Sequence, residues 1–376
     1  MIDFVTPCFV FDTDKLKNHV SNIKKEIGAR AKICFAMKAN QTLLPDLKEI
    51  VDCVEVCSPG EFRFCEKTNV DYKKIVLSGV YKEENDIDRI MGICKTDCVY
   101  TVESLTQAEL LKKTALKHNL TVHVCLRLSC GNQFGMDEKD LCEIIEKRDS
   151  YPFDISGIQY YSGTQKKTEK ILSEIQKLDE FILFLNEKYG FKTRRLEYGP
   201  ALKVEYFKGK DESENQLQAL SSALNRIDES VEIVLEIGRF LVANCGSYFT
   251  KIVDKKNTQG NDYLIVDGGI NHLNYYGQLM AMKIPYYDFH KNSPNGKEQN
   301  YTVCGSLCTS VDVIVKSLPL DNAQIGDIIE FKNTGAYSVT EGIYMFLLRD
   351  MPRIYKIKNG KPSLEREFIK TDEIIF

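Results

Sequence analysis

The chain lacks the features that would place it outside ordinary soluble globular proteins. Its net charge is only −4, from 50 basic and 54 acidic residues, and the two signs are interleaved, so nothing favours nucleic acid. It has no long hydrophobic run. The longest apolar stretches, such as Phe181-Ile182-Leu183-Phe184-Leu185, are far too short to span a bilayer. The opening Met1-Ile2-Asp3-Phe4 shows no basic region followed by an apolar one, so no signal peptide is expected and the protein is predicted to be cytoplasmic. There is no internal repeat, low-complexity tract or flexible linker. The 13 cysteines include no zinc-binding arrangement: Cys53 and Cys57, like Cys94 and Cys98, are separated by three residues, and no paired histidines complete a site. No metal is expected. Scattered thiols in apolar contexts suit a reducing compartment, where buried cysteines behave as small hydrophobes.

At 376 residues, with 43% hydrophobic and 28% charged content, the chain is long enough for a large core and two domains. Amphipathic helical stretches recur at 16–27, 61–67, 83–91, 105–118, 139–147, 168–188 and 213–227. Between them lie short β-rich runs at 32–36, 53–57, 74–77, 98–102, 122–128, 155–160, 195–198 and 233–236. Eight apolar strands separated by helices predict an α/β fold, a closed parallel (β/α)8 TIM barrel over residues 14–239. A doubly wound open sheet is the alternative, because spacing cannot show closure. Beyond Arg239 the texture changes to strands at 240–245, 248–253, 262–266, 301–304, 312–315, 327–331 and 353–357. Turn signals such as Ser293-Pro294-Asn295-Gly296 and Lys358-Asn359-Gly360 punctuate them. This predicts an all-β domain over 240–376, which the strand-like opening, residues 1–13, joins.

Lys38 is the first residue with chemistry to explain. It follows the apolar run Ala31-Lys32-Ile33-Cys34-Phe35 in Phe35-Ala36-Met37-Lys38-Ala39-Asn40. Burial disfavours an ammonium, and a lysine so placed becomes an amine able to react with a carbonyl. Reactive groups of a barrel gather at the C-terminal ends of its strands. Lys38 follows the first barrel strand, Arg127 ends the fifth, and Gly163-Thr164 follows the sixth. Gly199 follows the seventh and Glu236-Ile237-Gly238-Arg239 the eighth, and glycine-bearing turns there commonly bind phosphate through backbone N–H groups.

Taken in order, these motifs resemble those of the fold-type III pyridoxal-phosphate decarboxylases, which include the ornithine and diaminopimelate decarboxylases. The resemblance runs from Thr6-Pro7 to Gly335-Ala336-Tyr337. Phe35-Ala36-Met37-Lys38-Ala39-Asn40 is similar to the family's cofactor-lysine motif. Val234-Leu235-Glu236-Ile237-Gly238-Arg239 is similar to its Glu-Pro-Gly-Arg motif, with isoleucine for proline. Asp267-Gly268-Gly269, Gly305-Ser306-Leu307-Cys308 and Gly335-Ala336-Tyr337 complete the set.

The resemblance implies a barrel plus a β domain, a homodimer with shared active sites, and pyridoxal 5′-phosphate as cofactor. Lys38 would hold the cofactor covalently and Glu236 would pair with its ring nitrogen. Thr164, Gly199, Gly238, Arg239 and Tyr337 would surround its phosphate. Cys308, donated across the dimer, would protonate the α-carbon, which suits a thiol whose ordinary pKa is about 8.5. Asp312 would position the loop of that cysteine. Each residue also has a plainer reading. Lys38 could face solvent, Glu236 could pair with Arg239, Cys308 could be a core thiol, and Tyr337 could be aromatic packing. Arg127 could make a structural salt bridge instead of touching the cofactor.

The departures from the family concern the substrate. Where relatives place a histidine over the cofactor ring, this chain has Tyr161 in Gly157-Ile158-Gln159-Tyr160-Tyr161-Ser162-Gly163-Thr164; tyrosine can stack there but cannot carry a positive charge. Gly199-Pro200-Ala201 replaces a triple glycine, and proline has no N–H to offer a phosphate. Thr309 follows Cys308 where diamine-forming and diaminopimelate enzymes have an acidic residue. A hydroxyl cannot compensate a buried ammonium, so free ornithine, lysine or diaminopimelate would be poorly held. The arginine expected after Asp267-Gly268-Gly269 is replaced by Asn271-His272-Leu273-Asn274-Tyr275-Tyr276-Gly277-Gln278, which makes His272 a candidate substrate contact, or a structural or surface histidine.

This pattern looks more like a branch in secondary-metabolite and siderophore pathways, some of whose members act on conjugated or carrier-protein-tethered amino acids. The expectation is a decarboxylase of an amino acid whose far end is neutral, blocked or tethered. The alternatives are a decarboxylase of a free diamino acid, an amino-acid racemase, which would need a second base and no cysteine motif, and a non-catalytic regulatory homologue.

Overall fold

A computed structural model describes residues 4–209, 215–291, 294 and 296–375. Met1-Ile2-Asp3, the first residues of the helical stretch expected from 213, and Ser293 and Asn295 of the expected turn lie outside the described residues. The chain divides into two compact units: His19–Lys203 with Ser213–Gly238, and Met1–Asn18 with Val204–Glu212 and Arg239–Phe376.

The chain opens with strand β1 (Cys8–Asp12), which belongs to the second unit. Then come eight short strands: β2 (Ala31–Ala36), β3 (Cys53–Val56), β4 (Ile75–Leu77), β5 (Val99–Val102), β6 (Val122–Leu128), β7 (Phe153–Tyr161), β8 (Arg195–Gly199) and β9 (Glu232–Ile237). Each pairs in parallel with the next. β2 also pairs with β9, from Ala31↔Ile233 to Phe35↔Ile237, and so closes the cylinder. An open sheet would leave those two edges unpaired.

Local chemistry ends and starts the helices between the strands. Ser58 and Ser104 cap Pro59–Lys67 and Leu105–His118 by accepting from the Glu61 and Gln107 backbone N–H groups. Asn119 and Gly190 take the left-handed conformation that stops Leu105–His118 and Thr168–Tyr189. Small residues fill part of the barrel wall: Cys34, Cys53, Val76 and Val234 pack together with Val99. Beside Cys53 lies a buried ion pair, Arg195 to Glu197 at 2.5 Å.

The second unit is built on β10 (Gly246–Thr258), β11 (Asn261–Val266), β12 (Tyr287–His290), β13 (Glu298–Cys304), β14 (Val313–Asp321), β15 (Ile328–Lys332), β16 (Arg353–Lys358) and β17 (Lys361–Arg366). Their order is β14-β13-β11-β10-β1-β16-β17, with β15 between β10 and β12. Most pairs are antiparallel; β1/β16 and β11/β13 are parallel. The 13-residue β10 pairs first with β1 and β15 and, from Ile252 onward, with β11, with an irregularity between Ile252 and Asp254. One strand therefore joins the β14-β13-β11 strands to the β1-β16-β17 and β15-β12 strands.

The strand expected at 240–245 is instead helical, as Arg239–Val242 followed by a 3-10 turn at Ala243–Cys245. Leu241, Val242 and Ala243 are all buried, and an apolar run buried on every side carries no alternation to separate helix from strand. Among the described residues no helix is long and apolar enough to cross a membrane.

Candidate active site

Three neighbouring barrel strands converge at their C-terminal ends on one amine. β2 gives way to a single 3-10 turn, Met37–Ala39, which carries Lys38. Its Nζ donates to Glu55 Oε2 from β3 at 2.8 Å and to Glu236 Oε1 from β9 at 3.4 Å, with Cys57 Sγ 3.9 Å away. Gly238 lets the chain after β9 pass under this turn, since a Cβ there would sit 3.2 Å from Ala39 Cβ and 3.3 Å from Ala36 Cβ. From β7, Gln159 Nε2 donates to Glu236 Oε2 at 3.2 Å and to Ser78 Oγ at 3.3 Å. Its Oε1 is buried with no hydrogen-bond partner. The Tyr161 ring, also from β7, has its centroid 5.8 Å from Lys38 Nζ.

The charges at this end of the barrel are coupled. Burial pushes the Lys38 ammonium towards its neutral form, but Glu55 and then Glu236 outweigh it, and its pKa lies well above the usual lysine value. The amine expected from the sequence to be neutral is thus a paired ammonium. Burial first, and the neighbouring Glu55 second, push Glu236 up to about 8, so at neutral pH it is mostly protonated. For Glu55 burial acts in the same upward sense, but Lys38 and a hydrogen bond with Glu236 reverse it, and its pKa is lowered. Two carboxyl groups hold one proton, on the Glu236 side, because two adjacent buried carboxylates cannot both ionise at ordinary cost.

Arg127 lies on β6, buried, and donates from Nη1 to Glu103 Oε1 at 3.0 Å, with the Phe134 ring 4.9 Å from the guanidinium carbon. Glu103 Oε2 also accepts from the Gly135 backbone N–H at 3.3 Å. Arg127 thus joins β5 to the loop after β6 through Glu103. The turns after β7 and β8 carry Gly163 at φ +135° and Ala201 at φ +52°. Tyr161 packs against Gly199 so closely that a Cβ there would overlap its ring.

Within the second unit, Arg239 is enclosed by tyrosines. Its guanidinium carbon is 4.3 Å from the Tyr337 ring and 4.9 Å from that of Tyr276, and Nη1 donates to the Tyr206 hydroxyl at 3.1 Å. Cys308 is exposed. Its loop is fixed by buried Asp312, whose Oδ1 accepts from Ile270 N at 2.9 Å and Oδ2 from Leu307 N at 2.7 Å. The carboxylate fits because Gly269 and Gly305 are glycines; a Cβ at Gly269 would come within 2.7 Å of it, and one at Gly305 would overlap it.

His272 is buried and engaged inside the unit, Nδ1 2.9 Å from the Tyr248 hydroxyl and Nε2 3.2 Å from the Asp350 carbonyl. Burial lowers its pKa to about 4. A neutral ring tied at both nitrogens leaves little for a ligand to meet. Asp288, His290 and Glu330 also bring ligand atoms within 4.8 Å of one another. There Lys332 already bridges Asp288 at 2.7 Å and also pairs with Glu330.

Sequence reasoning missed Glu55 and Gln159. Glu55 had a visible signal, a lone acid inside the apolar Cys53-Val54-Glu55-Val56 strand. Gln159 had none beyond its place one pleat before Tyr161. A primary amine beside a protonated buried carboxyl, with an unpartnered amide oxygen next to them, suits an aromatic aldehyde that carries a basic ring nitrogen. Pyridoxal 5′-phosphate is such a molecule, and the residues fit it.

Residues 8–335 match the family model described as pyridoxal-dependent decarboxylase, C-terminal sheet domain. The chain is 24% identical over 408 residues to L-glutamyl-[BtrI acyl-carrier protein] decarboxylase of Niallia circulans, which covers 99% of this chain and 93% of that protein. It is 25% identical over 384 residues to 2-[(L-alanin-3-ylcarbamoyl)methyl]-2-hydroxybutanedioate decarboxylase of Staphylococcus aureus, over 94% of each. The crystal structure of diaminopimelate decarboxylase from M. jannaschii superposes with a TM-score of 0.87 at 24% identity, covering 99% of this chain and 92% of that one. The chain belongs to the pyridoxal-dependent decarboxylases and is an amino-acid decarboxylase that uses pyridoxal 5′-phosphate.

Proposed function

We propose that this decarboxylase removes the α-carboxylate of an amino acid whose far end is neutral, blocked by conjugation or tethered to a carrier protein. The observation that carries the reading is the surroundings of the Cys308 loop. Thr309 and Ser310, the two residues after the cysteine, line a cavity of about 590 Å³ with Tyr263, Thr302 and Lys316. Among the described residues Asp312 is the one acid lining it, and both its oxygens already accept backbone N–H groups. The cavity offers hydroxyls and the Lys316 ammonium, and its one carboxylate is committed to holding the loop, so the distal ammonium of a free diamino acid meets a like charge and no acid dedicated to it. Two of the relatives support the reading by their names: one acts on a carrier-bound glutamyl group, the other on an alanine joined through a carbamoyl to an acid.

The chain's residues take the following roles in this reading. Lys38 would supply the amine that holds the cofactor, and Glu236, which holds a proton at neutral pH, would pair with the ring nitrogen and keep it protonated. Tyr161, whose ring centroid lies 5.8 Å from Lys38 Nζ, would stack on the cofactor ring. For the phosphate, Thr164, Gly199 and Gly238 would offer a hydroxyl and backbone N–H groups, and Arg239 and Tyr337 are the further residues that the resemblance assigns to it. Arg127 acts from a distance, by fixing Glu103 and the loop after β6. Pyridoxal phosphate, when bound, supplies the sink for the electrons released as CO2 departs. Cys308 holds the proton delivered to Cα, from a loop that Asp312 keeps in one conformation. The protein works as a homodimer, each copy lending Cys308 to the other.

CO2 release with product mass, measured across free lysine, ornithine, arginine, diaminopimelate and glutamate and across conjugated and carrier-tethered amino acids, tests the substrate. Turnover confined to blocked or tethered forms is expected. Free diaminopimelate as the best substrate at physiological concentration would end the reading.

A further inference from the structure

Lys166 is a buried lysine that the reaction does not account for. It follows the turn after β7, is 7% exposed, and faces Glu174, which is 2% exposed. Its Nζ donates to Glu174 Oε2 at 2.7 Å and to the Gly199 carbonyl at 3.0 Å. Its backbone N–H donates to the Ala201 carbonyl at 3.0 Å. The two ends of the Gly199-Pro200-Ala201 turn are therefore tied to one residue, one by its side chain and the other by its main chain.

Further bonds fix that residue in turn. Gln216 Nε2 donates to the Lys166 carbonyl at 2.9 Å while Gln216 Oε1 accepts from Lys203 N at 2.9 Å. Glu174 is held by the Tyr198 hydroxyl at 2.9 Å and by Ser162 Oγ. The rings of Tyr198 and Tyr161 flank the ammonium, their centroids 5.2 Å and 5.7 Å away.

A buried ion pair of this kind is weak as a stabiliser, since an apolar pair of the same volume commonly does as well. Its geometry answers a different need. Pro200 offers no N–H, and Ala201 holds φ +52°, a conformation that glycine adopts freely and alanine resists. Two of the turn's three carbonyls, those of Gly199 and Ala201, whose dipoles would repel an anion, are engaged by Lys166.

We infer that Lys166 is the positioning residue that lets the Pro200-Ala201 turn hold the cofactor phosphate, replacing from outside what a run of glycines supplies from within. The inference rests on the reading above that this turn meets the phosphate.

The test compares pyridoxal 5′-phosphate with pyridoxal, which lacks the phosphate, binding to the cofactor-depleted full-length chain and followed by the absorbance of the bound ligand. Lys166→Met is expected to weaken pyridoxal phosphate about tenfold, the scale of one lost hydrogen bond to a charged group, with pyridoxal within about twofold. Adding Pro200→Gly and Ala201→Gly to Lys166→Met is expected to restore most of the loss, because the turn then has its N–H and an unstrained φ. Should Lys166→Met not fold, Lys166→Met/Glu174→Leu removes both charges and carries the same comparison.

Equal loss for both ligands, or a loss that the glycines do not repair, would reduce Lys166 to a structural ion pair and overturn the inference. If neither Lys166→Met nor the glycine substitutions changes the ratio of the two affinities in any background, the turn does not hold phosphate, and that reading falls with it. No substrate enters the measurement, so the result is independent of what the enzyme decarboxylates.

Discussion

Glu55 accepts the shorter of the two carboxylate contacts of Lys38, 2.8 Å against 3.4 Å to Glu236, and of the two acids it is the one that stays ionised. The residue that holds the lysine as an ammonium is therefore Glu55. Glu55→Gln should lower the Lys38 pKa and raise the share of neutral amine at a given pH. Uptake of pyridoxal phosphate by the cofactor-depleted protein should then accelerate, with the midpoint of its pH profile moved down. The stability cost should be about 1–2 kcal/mol, less than the 3–5 typical of a fully buried pair, because the Lys38 side chain keeps 37% of its exposure. An unmoved midpoint would assign the raised pKa to some other group.

Glu236 makes a distinct prediction about pH. Its pKa is raised above that of an unfolded chain, to about 8, so the folded state binds its proton more tightly. That contribution to stability is complete below the unfolded value and is lost as pH rises through about 8. His272, lowered to about 4, acts in the opposite sense: its contribution is present above the ordinary histidine range and is lost as pH falls towards 4. Lys38, raised, and Glu55, lowered, remain charged throughout this interval. Urea midpoints of the cofactor-depleted protein should therefore fall between pH 7 and 8.5 in a way that Glu236→Gln flattens. Parallel slopes in the two proteins would mean that Glu236 is already ionised at neutral pH.

The loop of Cys308 depends on a carboxylate that never touches the thiol. Asp312→Asn replaces one acceptor by an N–H facing another N–H, at Ile270 or Leu307, and should cost the β unit about 1–3 kcal/mol. Decarboxylation should fall about tenfold or more through loss of loop position, with cofactor affinity unchanged. Gly305→Ala should reproduce the effect, since its Cβ would overlap the Asp312 carboxylate. Loss of cofactor affinity in either variant would point to a broader disturbance of the fold.

Much of this was legible in the sequence, for identifiable reasons. Strands such as Ile75–Leu77 are continuous apolar runs, buried throughout, because a barrel buries both faces, and the helices between them keep a 3.6-residue stripe. Closure was not legible, because Ala31↔Ile233 joins residues far apart in sequence. The run at 240–245 misled, being apolar without a period. β17, Lys361–Arg366, went unread because it is largely exposed and carries no alternation. Lys38 and Glu236, which the fold brings together, and Asp312 were singled out through motifs, while Lys166 reads as one more charge in Gln165-Lys166-Lys167 until its burial is seen. His272 shows the converse, a residue singled out by sequence that the fold uses for its own packing.

The shared-site reading predicts complementation between inactive copies. A Lys38→Ala chain keeps an intact Cys308, and a Cys308→Ala chain keeps an intact Lys38. Neither should turn over alone. Mixed under conditions that allow subunits to exchange, they should form heterodimers with one intact site of two, about a quarter of the wild-type activity for random pairing. No recovery after exchange, shown by mass to have occurred, would place Cys308 with the lysine of its own chain.

The substrate reading turns on one side chain. If a free diamino acid is rejected because its distal ammonium would be left uncompensated beside Thr309, then a carboxylate there should admit it. Thr309→Asp, and Thr309→Glu for reach, should raise kcat/KM for free lysine or diaminopimelate relative to blocked forms by about tenfold or more, the scale of one satisfied buried charge. Lys316 lines the same cavity and would compete for the new carboxylate, so Thr309→Asp/Lys316→Met should gain more than Thr309→Asp alone. Activity on blocked substrates should fall at the same time, through a higher KM and not a lower kcat, because the change touches the far end of the substrate and leaves Cys308 and Lys38 in place. A Thr309→Asp enzyme whose preferences are unaltered would show that the far end of the substrate lies elsewhere, and the argument from this cavity would go with it.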